Sequence, residues 1–219
     1  MEGQATAGIV RDIKGFRIPD DRSNMPLLPI TLHESAWNAL LAGNGHDEWA
    51  WDHENKVVTS GRDDILEVDI YPLDTGTSGN FGTLNIGRGN NARVGLSRQI
   101  LEGLSEADLE PYGGSLQLEN GELWLTGDPG ISAAIGRDLE AIRGEVRILP
   151  LYREVSQSGA NATFTIVKFV GVRTLDVDLS GKNKYLTIQP AKVVSKGIIA
   201  GKAGDGTSEF VYSRPDLVH

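Results

Sequence analysis

The chain has 219 residues, a net charge of −9 and an apolar content of 39%, enough for one sizeable core or two small ones and too high for simple disorder. It has no cysteine, which excludes disulfides, thiolate metal sites and cysteine nucleophiles. Residues 1–110 carry 9 Lys and Arg against 18 Asp and Glu, whereas residues 111–219 carry 12 of each; an acidic half without a basic stripe repels phosphate backbones, so no nucleic-acid partner is expected.

Residues 1–26 mix charge with Gly and Pro and are expected to be a linker or disordered segment. Leu27–Leu32 reads as a short strand, and Glu34–Leu41 as a helix with Ala36, Trp37, Leu40 and Leu41 on one side and Gly43 as its stop. Trp49-Ala50-Trp51 and Lys56–Thr59 predict a hairpin around Asp52–Asn55. Leu66, Val68 and Ile70 alternate with Glu67 and Asp69, which predicts a half-buried strand ended by Pro72, and Phe81–Ile86 predicts another.

Arg93–Glu102 is the clearest helix, with Leu96, Ile100 and Leu101 as its apolar stripe and Gly103 as its cap. Ser105 with Asp108 three residues on signals the N-terminus of a second short helix. Leu116–Leu118 and Leu123–Leu125 flank Asn120-Gly121, the signature of a tight hairpin turn. Ile131–Ile142 predicts a helix followed by Gly144. Strands are expected at Val146–Leu151, Thr163–Val170, Val172–Leu179 and Tyr185–Ile188, and a Gly-rich tail over 197–219, loose until Phe210-Val211-Tyr212.

These short strands and scattered short helices predict an α+β fold, with strand-dominated mixed or antiparallel sheets. The expected domain runs over 27–196, with a sub-division near 110 as one option. Val167, Phe169, Val170, Val172 and Leu175 form a nearly unbroken apolar stretch. Such a strand is either buried on both faces or, at a sheet edge, a template for strand addition.

The candidate chemistry is sparse. His33, His46, His53 and His219 form no HxH or HExxH pair with a suitable third ligand. His46-Asp47-Glu48 and His53-Glu54 are metal ligands if folded together and otherwise a polar hairpin rim. Asp63, Asp64, Glu67 and Asp69 form an oxygen-rich segment suited to calcium, without the spacing of an EF-hand; the alternative is a solvated turn and strand face. No cofactor other than calcium is suggested.

Trp49 and Trp51 share a strand face and are read either as a sugar-stacking platform or as core. A hydrolase would have to use Ser132 with His33 or His53, or an Asp/Glu pair; no Gly-x-Ser-x-Gly elbow is present, and Ser132 also fits a local cap. Phosphate-binding glycine motifs are missing, and Asn161-Ala162-Thr163 is a formal glycosylation sequon.

Several short stretches occur in a recognisable order. They run from Leu27-Leu28-Pro29-Ile30 through Trp37–Gly43, Asp64–Val68 with Tyr71-Pro72, Gly82–Gly87, Leu96–Gly103, Gly127–Ala133, Leu149–Tyr152 and Asn161–Val167 to Tyr185–Ala191. In this order they resemble the C-terminal extracytoplasmic region of TadG-like pilus-assembly proteins of planctomycete-type bacteria, over roughly residues 27–213.

The resemblance implies a non-enzymatic accessory domain of the Tad/Flp pilus machinery, working at the cell surface or in the periplasm. Its expected partners are other pilus-assembly or cell-envelope proteins. That family is anchored by an N-terminal apolar helix. Here Met1-Glu2-Gly3-Gln4 opens without one, and no run approaches the roughly 18–20 apolar residues of a membrane span. The expectation is therefore a soluble portion of a membrane-anchored parent.

Overall fold

The computed structural model describes residues 6–7, 12–70, 81–87, 93–130, 132–156, 162–180, 184–202, 204–213 and 217–218. The fold is α+β and strand-dominated, as the pattern predicts. Its strands are β1 (Thr6–Ala7), β2 (Ile13–Arg17), β3 (Ile30–His33), β4 (Trp49–Asp52), β5 (Val57–Ser60), β6 (Val68–Ile70), β7 (Phe81–Leu84), β8 (Ser115–Gln117), β9 (Leu123–Asp128), β10 (Val146–Ser156), β11 (Ala162–Asp178), β12 (Tyr185–Pro190), β13 (Val193–Ser195), β14 (Ile198–Ala200), β15 (Ser208–Glu209), β16 (Val211–Ser213) and β17 (Leu217–Val218). The α-helices are α1 (Glu34–Leu41), α2 (Arg93–Glu102), α3 (Glu106–Leu109) and α4 (Gly136–Ala141).

Five strands close into a ring. β10 lies between β3 and β11; β11 pairs with β9, β9 with β7, and β7 with β3. Closure removes free edges within this set. β11 is long enough to serve twice: Ala162–Ile166 pair with β9 inside the ring, and Val172–Asp178 pair with β12, which carries β6 beyond it. The two strands expected on either side of Gly171 are thus one strand. From Thr163 to Arg173 it is interior, with β10 along one side and β9, β15 and β12 along the other, so its apolar run offers no free edge there for strand addition.

Two cores flank the strands. One joins Tyr152, Phe164, Leu84 and Leu125 of the ring with Ile13, Phe16 and Leu116 from the three-stranded sheet β14-β2-β8. Here Phe164 stands edge-on to Tyr152 at 5.1 Å. Gly82 makes room for it: a Cβ there would lie 2.3 Å from Phe164 Cζ. The other core packs Trp37 and Leu40 of α1, Ile100 of α2 and Leu139 of α4 against Leu149, Val170, Val172 and Ile188. β11 contributes to both cores, which accounts for its unbroken apolar run.

Several expectations are corrected. Both cores draw on residues from each side of position 110, so no sub-division falls there. The segment expected as a linker holds Ile13, Phe16 and Met25, all at most 1% exposed, because Ile13 and Phe16 sit on a short strand whose period is too brief to stand out. The tail expected to be loose before Phe210 contributes β14 and β15, and Val211, at the expected end of that looseness, is buried in β16. Asp12 ties the two ends together by accepting from Gly204 N at 2.7 Å and Gly206 N at 3.1 Å.

Asn120 and Gly121 do form a tight turn, both at positive φ (54° and 87°), with Glu119 and Glu122 exchanging backbone hydrogen bonds. The flanking strands nevertheless part: β8 joins β2, while β9 enters the ring. The helix expected over 131–142 divides into a 3₁₀ turn at Ala133–Ile135 and α4; Ile131 lies outside the described residues.

Candidate functional site

The histidines and Ser132 are employed locally. His33 caps α1: its Nδ1 accepts from Ser35 N at 3.1 Å, and its Nε2 lies 2.9 Å from the Arg153 carbonyl. Those partners require the proton on Nε2. Ser132 Oγ accepts from Ala134 N at 3.2 Å, a cap for its own turn. His53 is exposed at the tip of the β4–β5 hairpin, edge-on to Trp51. Neither His33 nor His53 is a hydrogen-bond partner of Ser132. His219 and Asn161 lie outside the described residues.

The acidic segment holds backbone. Glu67, fully buried, accepts from Trp49 N at 2.8 Å and Glu48 N at 3.2 Å. Burial pushes its carboxyl above the usual range, and these N–H groups and His46 oppose that. Asp63 accepts from Trp51 N at 3.3 Å and Ile65 N at 3.1 Å; Asp47 accepts from the N–H groups of Asp63 and Asp64. Asp69 accepts from Thr187 Oγ1 at 2.6 Å, and His46 Nε2 lies 3.5 Å from Glu67 and 3.6 Å from Asp69. Asp64 is exposed. Among the described residues, no three or more His, Asp or Glu side chains converge as a group able to hold a metal ion.

Trp49 and Trp51 do share a face of β4, each half-buried. Arg143 covers the Trp49 ring at 4.8 Å and Arg173 covers Trp51 at 4.0 Å. Each guanidinium closes one face of its indole to a sugar. Gly144 fixes the second pair. It sits at φ 85° with its Cα against the indole, so that a Cβ there would lie 2.4 Å from Trp51 Cζ3; its carbonyl accepts from Arg173 Nη1.

A cleft of about 720 Å³ opens beside this stack. One wall is the hairpin with the Asp63–Leu66 loop; the other is the end of α1, the β11–β12 rim and Phe210. Leu41 and Ile65, 46% and 40% exposed, give it apolar lips. Arg173 and Gln189 face each other across β11 and β12 and both line the cleft. Arg173 Nε and the Oε1 of Gln189, a residue 2% exposed, have no hydrogen-bond partner among the described residues. Burial draws the Arg173 pKa down, and Asp63 counters it.

Arg173 and Gln189 were not picked out by sequence reasoning. The available signal was a charge inside the apolar run Val172-Arg173-Thr174-Leu175, which a doubly buried strand tolerates only with a partner. No helix among the described residues is long and apolar enough to cross a membrane. Comparison with protein-family models, characterised proteins and solved structures returned no match.

Proposed function

We propose that this chain is a non-enzymatic, protein-binding accessory domain of a Tad/Flp-type pilus-assembly protein, acting outside the cytoplasm on other pilus or envelope proteins. The observation that carries the binding reading is the cleft of about 720 Å³ with apolar lips at Leu41 and Ile65. The candidate nucleophile and histidines are engaged in caps and ring contacts, which favours binding over hydrolysis. The pilus setting is supported by the ordered motifs from Leu27–Ile30 to Tyr185–Ala191.

The test is deletion of the full-length gene in its native host. Loss of surface pili and adhesion, restored by the wild-type gene but not by one carrying Leu41→Asp and Ile65→Asp at the lips, is expected. Normal piliation in the deletion strain refutes the assignment.

A further inference from the structure

We propose that the wedge between β8 and β9 is a second contact surface, which holds an arginine side chain of a protein partner stacked on Trp124 and paired with Glu119 and Glu122. It shares no lining residue with the cleft, and it adds the chemistry of one partner residue to the protein-binding reading above.

Side chains alternate along a strand, so residues two apart share a face. Gln117 and Glu119 enter the Asn120-Gly121 turn at that spacing, and Glu122 and Trp124 leave it at the same spacing. The intervening Leu116, Leu118 and Leu125 are buried on the opposite face. Glu119 and Glu122 exchange both backbone hydrogen bonds, at 2.7 and 3.1 Å, so their side chains stand opposite each other on one side of the ladder. Beyond them β8 leaves for β2 and β9 for the ring, and a cavity of about 220 Å³ lies at the parting. Gln117, Glu119, Glu122 and Trp124 line it with Tyr112, whose hydroxyl donates to the Asn85 carbonyl at 3.1 Å.

Trp124 is 57% exposed, the only exposed aromatic among the described residues. Trp37 is buried, and the rings of Trp49 and Trp51 each carry a guanidinium, from Arg143 and Arg173. Among the described residues Trp124 carries none and has two carboxylates beside it instead. Like charges directly opposite on a ladder repel. Neither glutamate side chain has a salt bridge among the described residues. Arg153 interacts with Glu122 only through space, since its Nε and Nη2 are bonded to Glu34. Lys14 and Lys202 line a different cavity, with Asn120 and Gly121.

Charge complementarity therefore selects a cation, and shape selects its form. A guanidinium is planar, lies flat on an indole and turns its N–H edge to carboxylates, whereas an ammonium is a point charge. Gln117 donates its Nε2 to Ser115 at 2.8 Å, which leaves its carbonyl oxygen as a third acceptor. The cavity is smaller than those that hold whole small-molecule ligands and suits one side chain.

The experiment titrates the full chain, by nitrogen-edited NMR, with an acetylated and amidated pentapeptide having arginine at its centre and glycine and serine around it. The Trp124 indole N–H is assigned by its absence from Trp124→Phe. Comparison peptides carry citrulline, which keeps the planar group without the charge, or lysine; methyl glucoside tests a sugar on the same ring. The arginine peptide is expected to shift the Trp124 indole resonance and leave that of Trp37 in place. Citrulline is expected to bind about tenfold more weakly and lysine about threefold more weakly, with no shift from the glucoside. Raising salt from about 20 to about 200 mM is expected to weaken the arginine complex.

Glu119→Gln and Glu122→Gln keep the side-chain volume and remove one charge each. Each is expected to melt at or above the wild-type temperature, because the like-charge contact is relieved, and to bind the arginine peptide about threefold more weakly. The double variant is expected to bind arginine and citrulline alike. No Trp124 shift at about 20 mM arginine peptide, citrulline or lysine binding as tightly as arginine, the glucoside binding as tightly, or undiminished arginine binding by the double variant each overturns the proposal. These outcomes are separate from the deletion phenotype. Normal pili with intact arginine binding refutes the pilus assignment alone, whereas lost pili with no arginine binding refutes this site alone.

Discussion

Asp108 concentrates more of the fold's polar energy than any other acid described above, and Asp108→Asn tests that directly. Its carboxylate receives Arg98 Nη2 at 2.5 and 2.7 Å, Gln99 Nε2 at 2.9 Å, and both the N–H and the hydroxyl of Ser105 at 2.7 Å. It therefore ties α2 to the capping box of α3, while Gln99 also holds the Ile86 carbonyl. Asparagine keeps one acceptor oxygen and turns a donor towards other donors. Two charge-assisted bonds are lost, each contributing about 1.5–3 kcal/mol. Arg98, whose side chain is about one-third exposed, recovers part of the loss by turning to water. The net cost is about 3 kcal/mol, or about 6–12 °C in Tm for a chain of this length.

The pH dependence has a fixed direction. Burial raises the Asp108 pKa, but Arg98, Ser105 and Gln99 outweigh it and hold the carboxyl below the usual range. The folded value is then below the unfolded one, so the stabilisation is complete above the unfolded value, about pH 4, and is lost as pH falls through the folded value. Asparagine does not titrate. Thermal and urea unfolding of both proteins from pH 7 to pH 3 is expected to show a gap that closes on the acid side. A Tm difference under about 1 °C at pH 7, or a gap that widens towards pH 3, refutes the reasoning.

Three further outcomes follow from the packing and the hydrogen bonds. Gly82→Ala places a Cβ against the Phe164 ring inside the closed set of strands and is expected to cost about 1–3 kcal/mol in denaturant unfolding; Phe164→Leu, by trimming the ring, should regain part of that in the double variant. Glu67→Leu leaves the buried N–H groups of Glu48 and Trp49 without acceptors, so hydrogen exchange at those two amides should accelerate by about 30-fold or more, about 2 kcal/mol for one unpaired donor, with millimolar calcium restoring nothing. Trp37→Phe removes the 2.6 Å bond from the indole N–H to Glu209, which also pairs with Lys168, and is expected to cost about 1–2 kcal/mol with a raised exchange rate at β15.

The helices and hairpins were legible because their signals are local. Glu34–Leu41 and Arg93–Glu102 have the residue bounds that their apolar spacing and terminal glycines predict. The β4–β5 hairpin and the Ser105–Asp108 capping box form as read. Closure of the strand ring was not legible, since it depends on a parallel contact between β3 and β10 at Leu32–Leu151 and His33–Tyr152, about 120 positions apart. The two ends of the chain misled for a related reason. Ile13, Phe16 and Ile198 lie in segments too short and too rich in glycine to show a period, and they pack into the core only when β2 and β14 meet the larger sheet.

The acidic segment shows why the candidate site was harder to read than the fold. A carboxylate accepts equally well from a backbone N–H and from a hard cation, so composition alone leaves Asp63 and Glu67 open to either role. Geometry separates the two. Glu67 points inward to Trp49 and Glu48, and Asp63 bridges Trp51 and Ile65, so these acids brace the hairpin that forms one wall of the cleft. Arg173, a single charge within the apolar strand β11, is stacked on Trp51 and donates to the Gly144 carbonyl, and its residue lines the cleft. The acids read as candidate calcium ligands support the wall, and Arg173 and Gln189 line it.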